Sequence, residues 1–118
     1  MDVTQLQTAA LLWLGYDDGQ ATGPDQDAAE LVAPAVWAWV DDLPSIDTEP
    51  DPDDPEATVW GDKTALGAVM LTARLIRRRN SPHGIESFTA EGAAYVRRAD
   101  PDVAQLLYLG NHAKPKVG

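Results

Sequence analysis

Apolar residues recur at helical spacing over three stretches of the chain. Leu6, Ala9, Ala10, Trp13 and Leu14 form one face behind Asp2-Val3-Thr4-Gln5, a cap residue followed three positions on by Gln. With Gly15 as a C-terminal stop, this predicts a first helix over residues 3–14. Residues 16–23 hold Asp17, Asp18, Gly19 and Gly23 and predict a loop. Pro24-Asp25 opens a second helix with an apolar stripe of Ala28, Leu31, Val32, Ala35, Val36, Trp39 and Val40. Pro34 falls inside that stripe and predicts a kink, or a division into two helices. Asp41-Asp42-Leu43-Pro44 ends it. The third helix begins at residue 59 or 61 and runs to residue 79. Leu66, Val69, Met70, Ala73 and Ile76 define one face; Ala65, Ala68, Thr72 and Leu75 widen it, as in a central helix packed on more than one side. Arg77-Arg78-Arg79 crowd its last turn, at the negative end of the helix dipole, before Asn80-Ser81-Pro82-His83-Gly84 stops it.

Between the second and third helices the pattern fails. Residues 45–58 carry Asp47, Glu49, Asp51, Asp53, Asp54 and Glu56 with Pro50, Pro52 and Pro55, and too few apolar groups to offset chain entropy. This predicts an extended acidic loop over residues 43–58. Further on, residues 85–88 and 94–96 read as short strands around a turn at residues 89–92. Asp100-Pro101-Asp102 opens a fourth helix with Val103, Leu106, Leu107 and Leu109 facing inward and Gly110 ending it. Residues 110–118 form an extended basic tail. The expected fold is one mainly α domain spanning residues 1–118. It is a small four-helix, bundle-like unit with a short β-hairpin between helices 3 and 4.

Charge adds polarity to this picture. Residues 1–60 contain 14 acids and no Lys or Arg; residues 61–118 hold all nine basic residues and five acids, so the halves carry −14 and +4. Such asymmetry suits copies that sit side by side, and equally a solvated acidic half beside a mildly basic helix. The absence of cysteine excludes disulfides, thiolate metal sites and cysteine nucleophiles. No run of about 18 apolar residues is present and the start lacks a basic, apolar leader, so a soluble cytoplasmic protein is expected.

Chemistry is thin. His83 and His112 belong to no metal or catalytic pattern, and Ser45, Ser81 and Ser87 lack a nucleophile setting. The acidic loop lacks the glycine bend and closing Glu of a calcium loop. No enzyme, cofactor or metal is expected. Arg74, Arg77, Arg78, Arg79, Arg97 and Arg98 suit carboxylate pairing between subunits better than nucleic-acid contact, given the acidic balance. Solvated arginines at a helix end are the plainer alternative. Trp13 and Trp39 fall on core faces. Trp37 is out of phase with its helix and Trp60 follows the acidic loop at the entrance to the third helix; either fits a partner anchor or local packing against the loop.

Two stretches resemble a known family. Residues 66–85, with Thr72-Ala73-Arg74-Leu75-Ile76-Arg77-Arg78-Arg79-Asn80-Ser81-Pro82-His83-Gly84, are similar to the central helix and turn of head-to-tail adaptor (connector) proteins of actinobacterial siphophages. So is Tyr95-Val96-Arg97-Arg98-Ala99-Asp100-Pro101-Asp102-Val103-Ala104-Gln105-Leu106-Leu107. Trp13-Leu14-Gly15 fits more loosely. The resemblance implies a virion protein of the neck that assembles in the host cytoplasm. It implies a ring, usually dodecameric, beneath the portal, extending the DNA channel and meeting a downstream neck or tail-completion protein. DNA would pass without sequence-specific binding, and no catalytic residue or cofactor carries over. Subunit or portal contacts are then expected from the six arginines together with Trp60, Lys114 and Lys116, and Arg77→Glu or Arg78→Glu should block assembly while leaving the fold intact. A small acidic regulator and a helical DNA-binding module are the competing readings.

Overall fold

The first helix, α1 (Val3–Trp13), is fixed at both ends by its own sequence. Asp2 accepts from the Gln5 N–H at 2.7 Å while the Gln5 side chain accepts from the Asp2 N–H at 2.9 Å, a reciprocal capping box. At the other end Gly15 takes φ +101°, and the amides of Gly15 and Tyr16 reach back to the carbonyls of Leu12 and Leu11 at 3.0 Å. That is a Schellman motif, which needs a residue at positive φ. The computed structural model describes residues 1–44, 46–79 and 85–110.

Next comes α2 (Pro24–Asp41), which Pro34 does not divide. Pro34 and Glu30, whose carbonyl loses its helical partner, are both exposed, where solvent can reach them. Ala28, Ala29, Val32, Ala33, Val36 and Val40 are buried, whereas Leu31, expected in the core stripe, is 65% exposed.

The acidic stretch is not an irregular loop. Strands β1 (Thr48–Asp51) and β2 (Asp54–Trp60) pair antiparallel with Thr48 opposite Trp60 and Glu49 opposite Val59. β-branched Thr48, Thr58 and Val59 favour the strand, and prolines are tolerated because both strands are edges. Asp51 and Asp54 accept the amides of Asp53 and Glu56, closing the turn. The root is pinned: the Asp47 carbonyl accepts from Gly61 N–H at 2.8 Å and from the Thr64 hydroxyl at 2.7 Å.

Helix α3 (Asp62–Arg77) is central, packing on α1 and α2 through Thr64, Ala68, Leu71, Thr72 and Leu75. It is followed by α4 (Ile85–Glu91), α5 (Ala93–Ala99) and α6 (Pro101–Leu106). A hairpin was expected over residues 85–96; two short helices stand there instead. Ala90, Ala93, Ala94, Glu86 and Glu91 outweigh the few aromatic and β-branched residues. The turn between them, Gly92, has φ +47°, and a Cβ there would lie 2.9 Å from the Trp39 indole nitrogen. Trp39 meets Phe88 edge-on at 5.1 Å. Gly67 lets α6 approach α3, since a Cβ at residue 67 would be 3.0 Å from Leu107.

The fold is thus mainly α, as expected, with six helices among the described residues instead of four. Its hairpin lies between the second and third helices, not the third and fourth. One core joins α1, α2, α3, α5 and α6 around Leu6, Val36, Leu71, Leu75, Val96 and Leu107. Among the described residues no helix is long and apolar enough to cross a membrane. Ser45, Ser81, His83, His112, Lys114, Lys116 and the tail beyond Gly110 lie outside the described residues.

Candidate subunit interface

The arginines at the end of α3 face carboxylates of their own chain. Arg74 binds Asp102 through two bonds of 2.6 Å and reaches Asp100 at 3.1 Å. Arg78 binds Asp100 through two bonds of 2.7 Å and donates to the Tyr95 hydroxyl at 3.0 Å. Asp100 is 1% exposed, a charge that burial would forbid without these two partners. Its side chain makes no helix cap, although α6 does begin with Pro101 as expected. The Arg74 guanidinium holds the Asp102 carboxyl down to about 2, and Asp102 and Asp100 raise Arg74 in turn. The Asp100 carboxylate likewise raises Arg78. Arg79 pairs with Asp25, which also accepts from the Tyr16 hydroxyl and so raises that phenol above its usual value. Arg98 pairs with Glu91 at 2.7 Å.

Arg77 differs from its neighbours. It is exposed and has no carboxylate partner among the described residues, touching only the Leu14 carbonyl at 3.4 Å. It continues a stripe of α3 that runs Leu66, Met70, Arg74, Arg77 at helical spacing. Leu66, expected in the core, is 40% exposed, and Met70 is half-buried against the core; both line an open groove of about 560 Å3 with Lys63, Asp102, Gln105, Leu106 and Tyr108. The reason is packing order: α1 and α2 cover the Leu71–Leu75 side of α3, and α6 closes on Gly67, leaving the Leu66 side free. Further along the same stripe a second hollow is lined by Trp13, Leu14, Ala73 and Arg77. Trp13, also expected in the core, is 56% exposed, because burial along α1 stops at Leu11. One wall is strained: Tyr108 sits at φ +55°, where a non-glycine residue costs about 1–2 kcal/mol. The Lys63 ammonium lies 5.6 Å from its ring and 3.2 Å from its hydroxyl.

Across the molecule, Glu49, Asp51, Asp53, Asp54 and Glu56 on the hairpin pair with no Lys or Arg among the described residues. Family models, curated proteins and solved structures give no match to this chain.

Of the residues expected at an interface, Arg74, Arg78, Arg79 and Arg98 are committed within the chain, so their first use is to hold the subunit together. Trp60 cannot be an exposed anchor: it is buried, stacks on Trp37 at 5.9 Å and donates to Asp41 at 3.1 Å. Arg77 and Arg97 remain exposed. Lys63, Leu66, Met70, Trp13 and Tyr108 were not anticipated there. The i, i+4 step from Leu66 through Met70 to Arg74 was the available signal, an apolar stripe that turns charged at its end. Among the described residues no cluster of three or more His, Asp or Glu is placed to hold a metal.

Proposed function

We propose that this chain is a structural, non-catalytic virion subunit: a head-to-tail adaptor that forms a ring beneath the portal of a long-tailed bacteriophage. The ring extends the DNA channel and presents a platform to the next neck or tail-completion protein. The observation that carries this reading is the mutual grip of the two stretches that resemble such adaptors. Arg74 and Arg78 of the first hold Tyr95, Asp100 and Asp102 of the second. The two stretches therefore belong to one packed unit.

The charge distribution also supports the reading. The net charge of −10 is of the sign that lets DNA slide along a channel without adhering. A duplex-binding module through residues 74–79 is disfavoured, because Arg74, Arg78 and Arg79 already serve Asp100, Asp102 and Asp25.

The test is direct. Purified chain mixed with isolated portal rings should add a ring of density below the portal in negative-stain images, and antibody should label the neck of purified virions. A chain that ignores portal but retards duplex DNA with steep salt dependence would replace this reading with the nucleic-acid one.

A further inference from the structure

Three features are left open by the described residues: the groove along α3, the exposed Trp13, and the acidic hairpin. We infer that they are the two halves of one contact, in which the β1–β2 hairpin of one copy lies along the α3 groove of the next. This rests on the ring reading and gives that ring its lateral joint.

The groove offers an apolar floor of Leu66, Met70 and Leu106 with Lys63 and Asp102 on its rim, and the separate hollow further along the stripe adds Trp13 and Arg77 beside the paired Arg74, Arg78 and Asp100. The occupant is argued from charge and from shape. The hairpin's five acids are the complement that Arg77 lacks at home. Between residues 50 and 56 only Asp51 is even partly shielded, so the outer half of the arm touches almost nothing of its own chain. A two-stranded hairpin is marginal in water unless something packs on it. Pro50, Pro52 and Pro55 are exposed on that outer half. Their rings suit an aromatic and aliphatic floor, and their fixed φ lowers the entropy lost on docking. Arm and groove are different surfaces, so the contact is head-to-tail and propagates around a ring instead of ending at a dimer.

The chain has no cysteine, which makes cross-linking clean. Chains carrying Asp53→Cys and chains carrying Leu66→Cys, mixed under assembly conditions and oxidised, should give a covalent heterodimer. One chain carrying both should give a ladder that ends at the ring size. Both sites are exposed, and circular dichroism checks that the fold survives. A charge series adds an independent readout. Arg77→Glu should weaken self-association about tenfold or more, as should Glu49→Lys with Asp53→Lys and Glu56→Lys. Combining the two sets should recover most of the loss. Glu86→Lys, the same change of net charge at an exposed residue that lines neither hollow, should have no effect.

The outcomes separate the two claims. Rings that form on portal without an Asp53–Leu66 link would overturn this joint and leave the adaptor reading standing. Asp53→Cys chains that link only to each other would also overturn it, as would a Leu66→Cys link to a cysteine within residues 111–118 of the same chain. A chain that assembles neither alone nor on portal would remove the ring itself.

Discussion

Asp100 shows how a single buried charge organises the C-terminal half. Its carboxylate takes three bonds from Arg74 and Arg78, whose own heads remain about one-third exposed. Removing the acid leaves Arg78 at a half-buried site with no carboxylate, while Arg74 keeps Asp102, so Asp100→Ala should cost about 3 kcal/mol in denaturant unfolding. Arg78→Glu should fail in the same way, whereas Arg77→Glu should leave the midpoint within about 0.5 kcal/mol. The expectation that both substitutions spare the fold thus survives for Arg77 only. Asp102 makes a second prediction, on pH. Its folded-state carboxyl is depressed to about 2 from 3.8, so the Arg74 pair contributes fully above the unfolded value. That contribution is lost as pH falls from about 4 through about 2. Carboxyl-carbon NMR should follow the low midpoint, and Arg74→Gln should return it toward 3.8. Neither role was legible in the sequence. Asp100-Pro101-Asp102 reads locally as a helix start, and its arginine partners lie 22 to 28 residues upstream.

At the level of elements, local chemistry was readable wherever it was decisive. The capping box at Asp2 and Gln5, Gly15 as a stop, and Pro24 and Pro101 as helix openers all stand where expected. The failures came where tertiary contacts outvoted composition. Residues 48–60 look like disordered chain by charge and proline content, yet they pair because Asp47, Gly61 and Thr64 clamp the root of the hairpin. Residues 85–99 hold too few residues per segment for any period to be read, and Gly92, which in sequence suits a hairpin turn, joins two helices beside Trp39. Gly92→Ala should therefore cost about 1–2 kcal/mol and perturb tryptophan fluorescence. Hydrogen exchange should rank the elements in the same terms: amides of β1 and β2 should exchange far faster than those of α3. Assembly should slow the hairpin selectively.

For the molecule as a whole, the mainly α class was legible because three long amphipathic patterns dominate the chain. The two-sided charge was legible too, but its use was misread. Much of the basic half is neutralised by Asp25, Asp100, Asp102 and Glu91 before any neighbour arrives. Among the described residues, the cations left without a carboxylate are Arg77, Arg97 and Lys63, and the proposed joint sets Arg77 and Lys63 against the hairpin acids. A contact of that kind is partly screened, so raising salt from about 0.1 M to about 1 M should weaken self-association while leaving the thermal midpoint of the subunit nearly unchanged. Sedimentation velocity at both salts checks this.

The clamp at Asp47 has a consequence for curvature. One carbonyl ties the arm's base to Gly61 and Thr64, in the opening turn of the same helix that forms the receiving groove. In the proposed joint, donor and acceptor surfaces therefore keep a fixed bearing to each other, and every step from copy to copy would repeat one rotation and one rise. Whether such steps meet their own beginning or climb into a filament depends on that bearing alone.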